Sequence, residues 1–290
     1  MTDTPVRVAT WSMQRTNRAL NRGLVYLAIL VTSVFMVTPF LWMLGSSFKP
    51  FEEIFQAPPT LVPVHPTIAN YVSVFEQGRA WLKLWNSFYM AVSASAVSVV
   101  LCSLGGYAFA KFRFPGRELL FNLMLATMVI PFAALLVPEF VMMRNTFHWI
   151  DTPWPIIIPG AANAFGIFFM RQYLLSTPDE MLDAARVDGA SELRIFWSVV
   201  LPTSLPGLAT LGIIFFMNRW NEFLWALAVL HSEAIQTLPL MLEALHGPPG
   251  RTAYDLLMAG SVISVLPLLV VFLFLQRYFM AGLTAGAIKG

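Results

Sequence analysis

Two charges stand in a stretch that is otherwise apolar enough to lie in lipid. Arg219 and Glu222 fall within a segment that begins after Pro202 and continues to about Leu230. They are three residues apart, so on a helix they share a face and can pair. Asn218, Trp220 and Asn221 flank them. A charged side chain at the bilayer centre costs roughly 2.5–3.5 kcal/mol on insertion scales, and such residues are functional by default. The chemistry open to this group is non-covalent. Amides, a carboxylate and a guanidinium can exchange hydrogen bonds with ligand hydroxyls, and an indole offers a flat face to a ring. The same residues would equally serve as an internal pair that joins this helix to a neighbour and touches no ligand. Glu139, directly after Pro138, reads as an interfacial acid in water.

A second pattern lies in the segment STPDEMLDAARVDGASELRIFWSVVLP. Thr177 and Glu180 have the spacing of a capping box, and Pro178 occupies the first helical position, where a missing N–H costs little. Asp179 and Glu180 complement the positive end of the helix dipole. Met181, Leu182 and Ala185 then share one face. Asp188-Gly189 supplies a turn, because glycine reaches positive φ without strain. A second short helix follows from about Ser191 to Val200, with Pro202 marking its end. The pattern describes a short amphipathic helix under a membrane with a sharp bend after it, read either as a docking element or as a plain connecting loop.

Composition says what must position these groups. The 290 residues are 57% hydrophobic and only 12% charged, with a mean hydropathy of +0.67, whereas soluble domains carry about 25% charged residues. The net charge of +2 gives no support to a nucleic-acid partner. The lone Cys102 excludes an internal disulfide and a thiolate metal cluster. His65, His148, His231 and His246 form no HExxH pattern and GxSxG is absent, so catalysis has no visible constellation. No GxxxxGK[ST] occurs either, so the chain has no phosphate cradle of that kind. An intramembrane enzyme and a structural or signalling membrane subunit stand as the other readings.

A helix needs about 20 apolar residues to cross a bilayer core. Six runs reach or approach that length: Gly23–Phe48, Leu84–Ala110, Leu119–Pro138, Thr152–Met170, a fifth within Ile195–Leu230, and Leu256–Gln276. The expected fold is an all-α polytopic membrane protein with six transmembrane helices. The first run is too long for a secretory h-region and reads as a retained span. If the N-terminus is cytoplasmic, the inside segments hold Arg7, Arg15, Arg18, Arg22, Lys111, Arg113, Arg117, Arg171, Arg186, Arg194, Arg277 and Lys289. The outside segments hold only Lys49, Arg79, Lys83, Arg144 and Arg251. That excess puts both termini inside. The outer segment from about Lys49 to Lys83 is proline-rich and resists regular helix until after Pro66. The small-residue run Ala91–Ser98 with Gly105-Gly106 permits close helix packing.

Asp183-Ala184-Ala185, then Gly189, then Val199-Val200-Leu201-Pro202 resembles the cytoplasmic signature of binding-protein-dependent ABC importer permeases, in which EAA and G precede I-x-L-P at fixed spacing. Asp183 stands for the usual Glu and Val199 for Ile. The likeness extends through Tyr107–Phe121, Asn70-Tyr71, Asn86-Ser87, WNEFLWAL at Trp220–Leu227 and the tail GLTAGAIKG at Gly282–Gly290, and it is specific for the smaller permease subunit of the maltose-type carbohydrate uptake family.

The resemblance implies the type I ABC importer permease fold and a multi-pass subunit of the cell membrane. Residues 1–23 would be a cytoplasmic segment, 24–280 the permease domain with its conventional core about 84–277, and 281–290 a cytoplasmic tail. The helix at about 178–190 would be a coupling helix. Asp183 would face a polar or basic group of the ATPase, Ala184 and Ala185 would allow close approach, and Asp188 and Gly189 would set the bend. Leu201 and Pro202 complete the signature, and Gly286 and Lys289 in the tail would contact the ATPase pair. The implied partners are a second permease, an ATPase dimer, an extracytoplasmic solute-binding protein and the bilayer. No cofactor is expected on this chain, since ATP and Mg would sit on the ATPase. The cargo would be a sugar, an oligosaccharide, or a related polyol or glycerol phosphate. In such systems the larger permease carries most of the sugar contacts.

Overall fold

A computed structural model describes the backbone of residues 6–247 and 252–287, and the side chains of residues 21–247, 252–274 and 276. Helix is the only regular structure among the described residues. That is what lipid demands, because a helix satisfies its own backbone groups where water cannot.

The chain begins with α1 (Val6–Ser46). From residue 24 to 41 its side chains are exposed on every side, so this long apolar helix stands off the rest of the bundle. The loop after it is held by polar groups. Asn70 Nδ2 donates to the carbonyls of Ser47 (2.9 Å) and Lys49 (2.8 Å). The Glu53 carboxylate accepts from the N–H groups of Val64 (2.7 Å) and His65 (3.0 Å). A short α2 (Phe51–Ile54) lies within this loop, and α3 (Ala69–Glu76) begins after the prolines, as their positions require.

The central element is α4 (Ala80–Lys111), whose packed face is small: Ala91, Ala94, Ser95, Ser98, Cys102 and Gly106 are buried. Next come α5 (Arg117–Ala126), α6 (Phe132–Met142), α7 (Trp154–Ile157) and α8 (Ala164–Leu175). The α4 stripe lets α8 approach closely. A Cβ on Gly106 would lie 2.5 Å from the Met170 Cβ, and one on Gly166 would lie 2.6 Å from the Cys102 Sγ.

The remaining elements are α9 (Asp179–Val187), α10 (Glu192–Ile195), α11 (Leu201–Thr203), α12 (Leu205–Trp220), α13 (Leu224–Val229), α14 (Leu238–His246) and α15 (Tyr254–Ala287). Polar groups of α4 strap down the segment before α14. Lys83 Nζ donates to the Glu233 carbonyl (2.6 Å), and Asn86 Nδ2 donates to those of Ala234 and Gln236 (2.9 and 3.0 Å). The Leu238 N–H donates to Ser87 Oγ at 2.7 Å.

Three of the six expected spans are continuous helices: parts of α1 and α15, and the whole of α4. The other three are broken. The third bends by 99° between residues 129 and 132. Pro131 lacks an N–H and drives Ile130 into extended backbone (ψ 116°). The fourth is not one helix over Thr152–Met170. α7 ends early, Gly160 turns the chain at φ +69°, and Asn163 Oδ1 caps α8 by accepting from the Gly166 N–H at 2.8 Å. At 12 residues α8 measures about 18 Å, short of a membrane core by itself. The fifth does not run on to Leu230. It starts at Leu205, past Pro202 as expected, after an 83° bend in the chain, and breaks at 221–223.

The α4–α8 contact yields a test of the packing. Gly106→Ala forces a methyl into Met170 and should cost about 1–3 kcal/mol, as overpacking does, read as a fall of several degrees in melting temperature in detergent. Gly212→Ala, whose added carbon meets only Val99 at 3.8 Å, should melt like the parent.

Candidate functional site

The signature segment folds as an external helix clamped onto the ends of α4 and α8. Leu182 is its one buried residue and joins a core with Tyr107, Met170, Leu174, Ile195 and Phe196. Burying a Leu or Ile side chain contributes about 1.5–3 kcal/mol, so Leu182 and Ile195 supply the seat. Polar contacts fix its direction. Lys111 Nζ, on the last residue of α4, donates to the Thr177 carbonyl and to Asp179 Oδ1, both at 2.6 Å. Tyr107 Oη donates to Glu192 Oε2 (2.8 Å), and Glu192 Oε1 pairs with Arg186 Nε (2.7 Å). Arg186 Nη1 completes the chain to Asp183 Oδ1 at 2.6 Å. The Lys111 ammonium holds the Asp179 carboxyl below the usual carboxylate range, chiefly through its hydrogen bond. Glu192 and Asp183 push the Arg186 guanidinium further up. Nearby, Arg171 lies over the Phe121 ring (4.1 Å) and bonds Glu118 (3.2 Å), tying α8 to α5.

The capping box expected from Thr177 and Glu180 does not form. Pro178 is the N-cap, in extended backbone (ψ 136°), and no side chain caps the helix, so the helix starts one residue later than expected. The Thr177 carbonyl serves Lys111 instead. The far end matches the expectation. Gly189 sits at φ +78°, its N–H donates to the Arg186 carbonyl, and the Ala190 N–H donates to the Ala185 carbonyl, both at 3.0 Å. That pair of bonds is a Schellman motif, which needs a left-handed residue at this position. The second helix runs through a π-helical turn at 196–200 and ends at Thr203, one residue past Pro202, where the chain bends by 83° into α12. Asp183, Ala184, Val187 and Asp188 face outward, and Val187 is 88% exposed.

The membrane charges meet in a cavity of about 740 Å³ between α6, the turn before α8, and α12. Asn218, Arg219 and Glu222 line it at helical spacing, opposite Glu139. Arg219 and Glu222 do not form the expected ion pair. Arg219 Nη2 donates to the Pro159 carbonyl at 2.7 Å instead, and Glu222 Oε1 lies 3.4 Å from the Trp225 N–H, at the start of α13. Glu139 is partly exposed on α6 and lines the same cavity. Trp220 and Asn221 do not line it. Trp220 is buried on the neighbouring face, stacked on Phe216, and its Nε1 donates to the Ser264 carbonyl at 3.1 Å. Asn221 Nδ2 turns back to the Met217 carbonyl at 2.8 Å.

Gly286 falls in the last turn of α15, where no side-chain surroundings are described, and Lys289 lies outside the described residues. The reading of the sequence passed over Glu192, Tyr107 and the partners of Lys111. Glu192 lies in the first turn of α10, and nothing local marks its bond to Tyr107, 85 residues away.

Residues 102–284 match the family described as binding-protein-dependent transport system inner membrane component. The chain is 37% identical over 281 residues to the arabinooligosaccharides transport system permease protein AraQ of Halalkalibacterium halodurans, covering 96% of this chain and 100% of that one. It is 33% identical to the lactose transport system permease protein LacG of Rhizobium radiobacter, with the same coverage. In the crystal structure of a bacterial ABC transporter involved in the import of the acidic polysaccharide alginate, one chain superposes with a TM-score of 0.80 at 27% identity, over 91% of this chain and 98% of that one.

Removing the Lys111 ammonium should loosen α9 specifically. In Lys111→Met, exchange of the helix-bonded amides at Leu182–Val187 should rise about tenfold, equivalent to about 1.4 kcal/mol and within the worth of a charged hydrogen bond. The Asp179 pKa is depressed in the fold, so its contribution is present above the unfolded value of about 3.9 and is lost as pH falls through the folded one. The parent's protection should therefore stay level from neutral pH to about 5 and fall only in more acidic buffer.

Proposed function

The chain belongs to the binding-protein-dependent transport system inner membrane component family, and from that premise we propose that α9 is the lever through which a separate ATPase drives transport of a carbohydrate. The protein is a multi-pass permease subunit of an ABC importer in the inner membrane, and ATP hydrolysis belongs to another subunit. It works with a substrate-binding protein, as the family's description states. The single observation that carries the coupling role is the two-sided anchoring of α9 while Ala184 and Val187 stay outward.

The rest of the reading follows from that lever. Asp183 would offer its outer oxygen to a polar group of the ATPase, and Ala184 with Ala185 would let the surfaces close. Gly189 would fix the angle at which α9 leaves the bundle. Because α9 and α10 are joined to α4, α8 and α12 through packed contacts, a push on α9 would move those helices as a body. The Lys111 end of the bundle would be cytoplasmic, which the excess of Lys and Arg supports, and both termini would lie on that side. A second permease would cover part of the lipid-facing surface. Gly286 and Lys289 would reach between the ATPase subunits, a role that rests on resemblance alone. The permease domain would span about 24–280, between a cytoplasmic segment and a short tail. The carbohydrate cargo is supported by what the relatives are named for, an arabinooligosaccharide and lactose. No cofactor would reside on this chain.

Gly189→Pro tests the lever. Proline cannot adopt φ +78° and lacks the N–H that bonds to the Arg186 carbonyl. The importer should still assemble, while uptake and binding-protein-stimulated ATP hydrolysis fall by at least about tenfold, since left-handed strain alone reaches roughly 1–2 kcal/mol. Normal uptake in this variant would contradict the role of α9. The chain purified alone should hydrolyse no ATP, and turnover above a buffer blank would contradict a separate motor.

A further inference from the structure

The cavity beside α12 has a charge balance that bears on its occupant. Among the described residues Glu139, Arg219 and Glu222 are its only ionisable lining groups, so their formal charge sums to −1. The guanidinium is turned to the wall, where its Nη2 is committed to the Pro159 carbonyl. Neither carboxylate has an ion-pair partner within 4.0 Å among the described residues, and Glu139 makes no hydrogen bond there. An ionised carboxylate only accepts hydrogen bonds. The two carboxylates therefore offer acceptors to hydroxyl donors.

Its other walls are flat and apolar. Phe132, Phe165, Phe215 and Trp225 line it, and Phe132 meets Trp225 edge to face at 6.2 Å. Trp225 is held by its own Nε1, which donates to the Pro155 carbonyl at 2.9 Å. The Asn218 amide, which makes no hydrogen bond among the described residues, supplies both a donor and an acceptor. Ser98 lies 13 residues from Lys111 on α4 and lines the cavity, so the site sits about 20 Å along α4 from its Lys111 end.

We propose that this cavity is a saccharide subsite carried by this chain itself, open to uncharged hydroxyl-rich ligands and closed to uronates and phosphate esters. The inference rests on the permease reading and names its substrate class. Sugar hydroxyls donate charge-assisted hydrogen bonds to Glu139 and Glu222, and the C–H faces of the ring lie on the aromatic wall. An anion meets two carboxylates against one guanidinium whose Nη2 is bonded to the Pro159 carbonyl, so the net balance in the cavity is repulsive.

The test uses the assembled importer in proteoliposomes, with Cys102→Ala removing the native thiol and Leu135→Cys placing one in the cavity wall. The ethylammonium methanethiosulfonate should modify that thiol at least about tenfold faster than the ethylsulfonate, after correction for intrinsic rates. Adding Glu139→Gln and Glu222→Gln should reverse the preference, since only Arg219 then carries charge. Millimolar arabinotriose, lactose or maltotriose should slow modification, at least one of them severalfold, whereas mannuronate trisaccharide and glycerol 3-phosphate should not. Equal rates for the two reagents, or protection by the anions, would overturn the proposal. ATP-driven uptake is measured alongside. Uptake of a neutral sugar without protection of the thiol overturns this inference alone, placing the contacts on the partner permease. Absence of uptake for all five probes, with every partner present, overturns the permease reading and this inference together.

Discussion

Glu192 is the junction on which the arrangement depends. One carboxylate oxygen takes the Tyr107 hydroxyl of α4 and the other takes the Arg186 guanidinium of α9, so three helices meet at a single side chain. Exposed ion pairs usually contribute only about 0–1 kcal/mol, and Asp183 and Arg186 are largely exposed. The network therefore does not hold α9 by strength. Leu182 and Ile195, buried against Met170 and Leu174, supply the attachment. The polar chain settles the one thing apolar packing leaves loose, which is the direction in which α9 points.

The broken spans follow from a different constraint. Lipid penalises an unsatisfied backbone group, so a helix breaks only where other atoms take over its bonds. Asn163 does this at the start of α8, and Arg219 meets the Pro159 carbonyl in the turn before it. Both groups belong to the wall of the cavity. The breaks and the cavity are thus one feature, since irregular backbone at membrane depth is tolerated where it lines a polar space. Bends of 99° and 83° near that space also give the bundle places to yield when α9 is moved.

Much of this was legible from residue order. The apolar runs located α4, α15 and the lipid-facing part of α1, the Asp188-Gly189 turn was placed correctly, and the small stripe of α4 packs as its residue sizes require. What failed was whatever depended on partners far along the chain. Arg219 and Glu222 have the spacing of a pair, yet Pro159 offered the nearer acceptor. Trp220 sat among polar residues and was read with them, but 3.6-residue periodicity puts it beside Phe216 and α15. Thr177 and Glu180 had a capping spacing, and the rigid ring of Pro178 moved the cap by one residue.

The most direct test of the central claim is a crosslink from the outward tip of α9. With Cys102→Ala and Val187→Cys in the assembled importer, a short bismaleimide should join this chain to the ATPase subunit in high yield, and the yield should change between nucleotide-free and ATP-bound states. A tip that reacts only with lipid-borne reagents, or that forms no adduct with the ATPase in either state, would contradict the account.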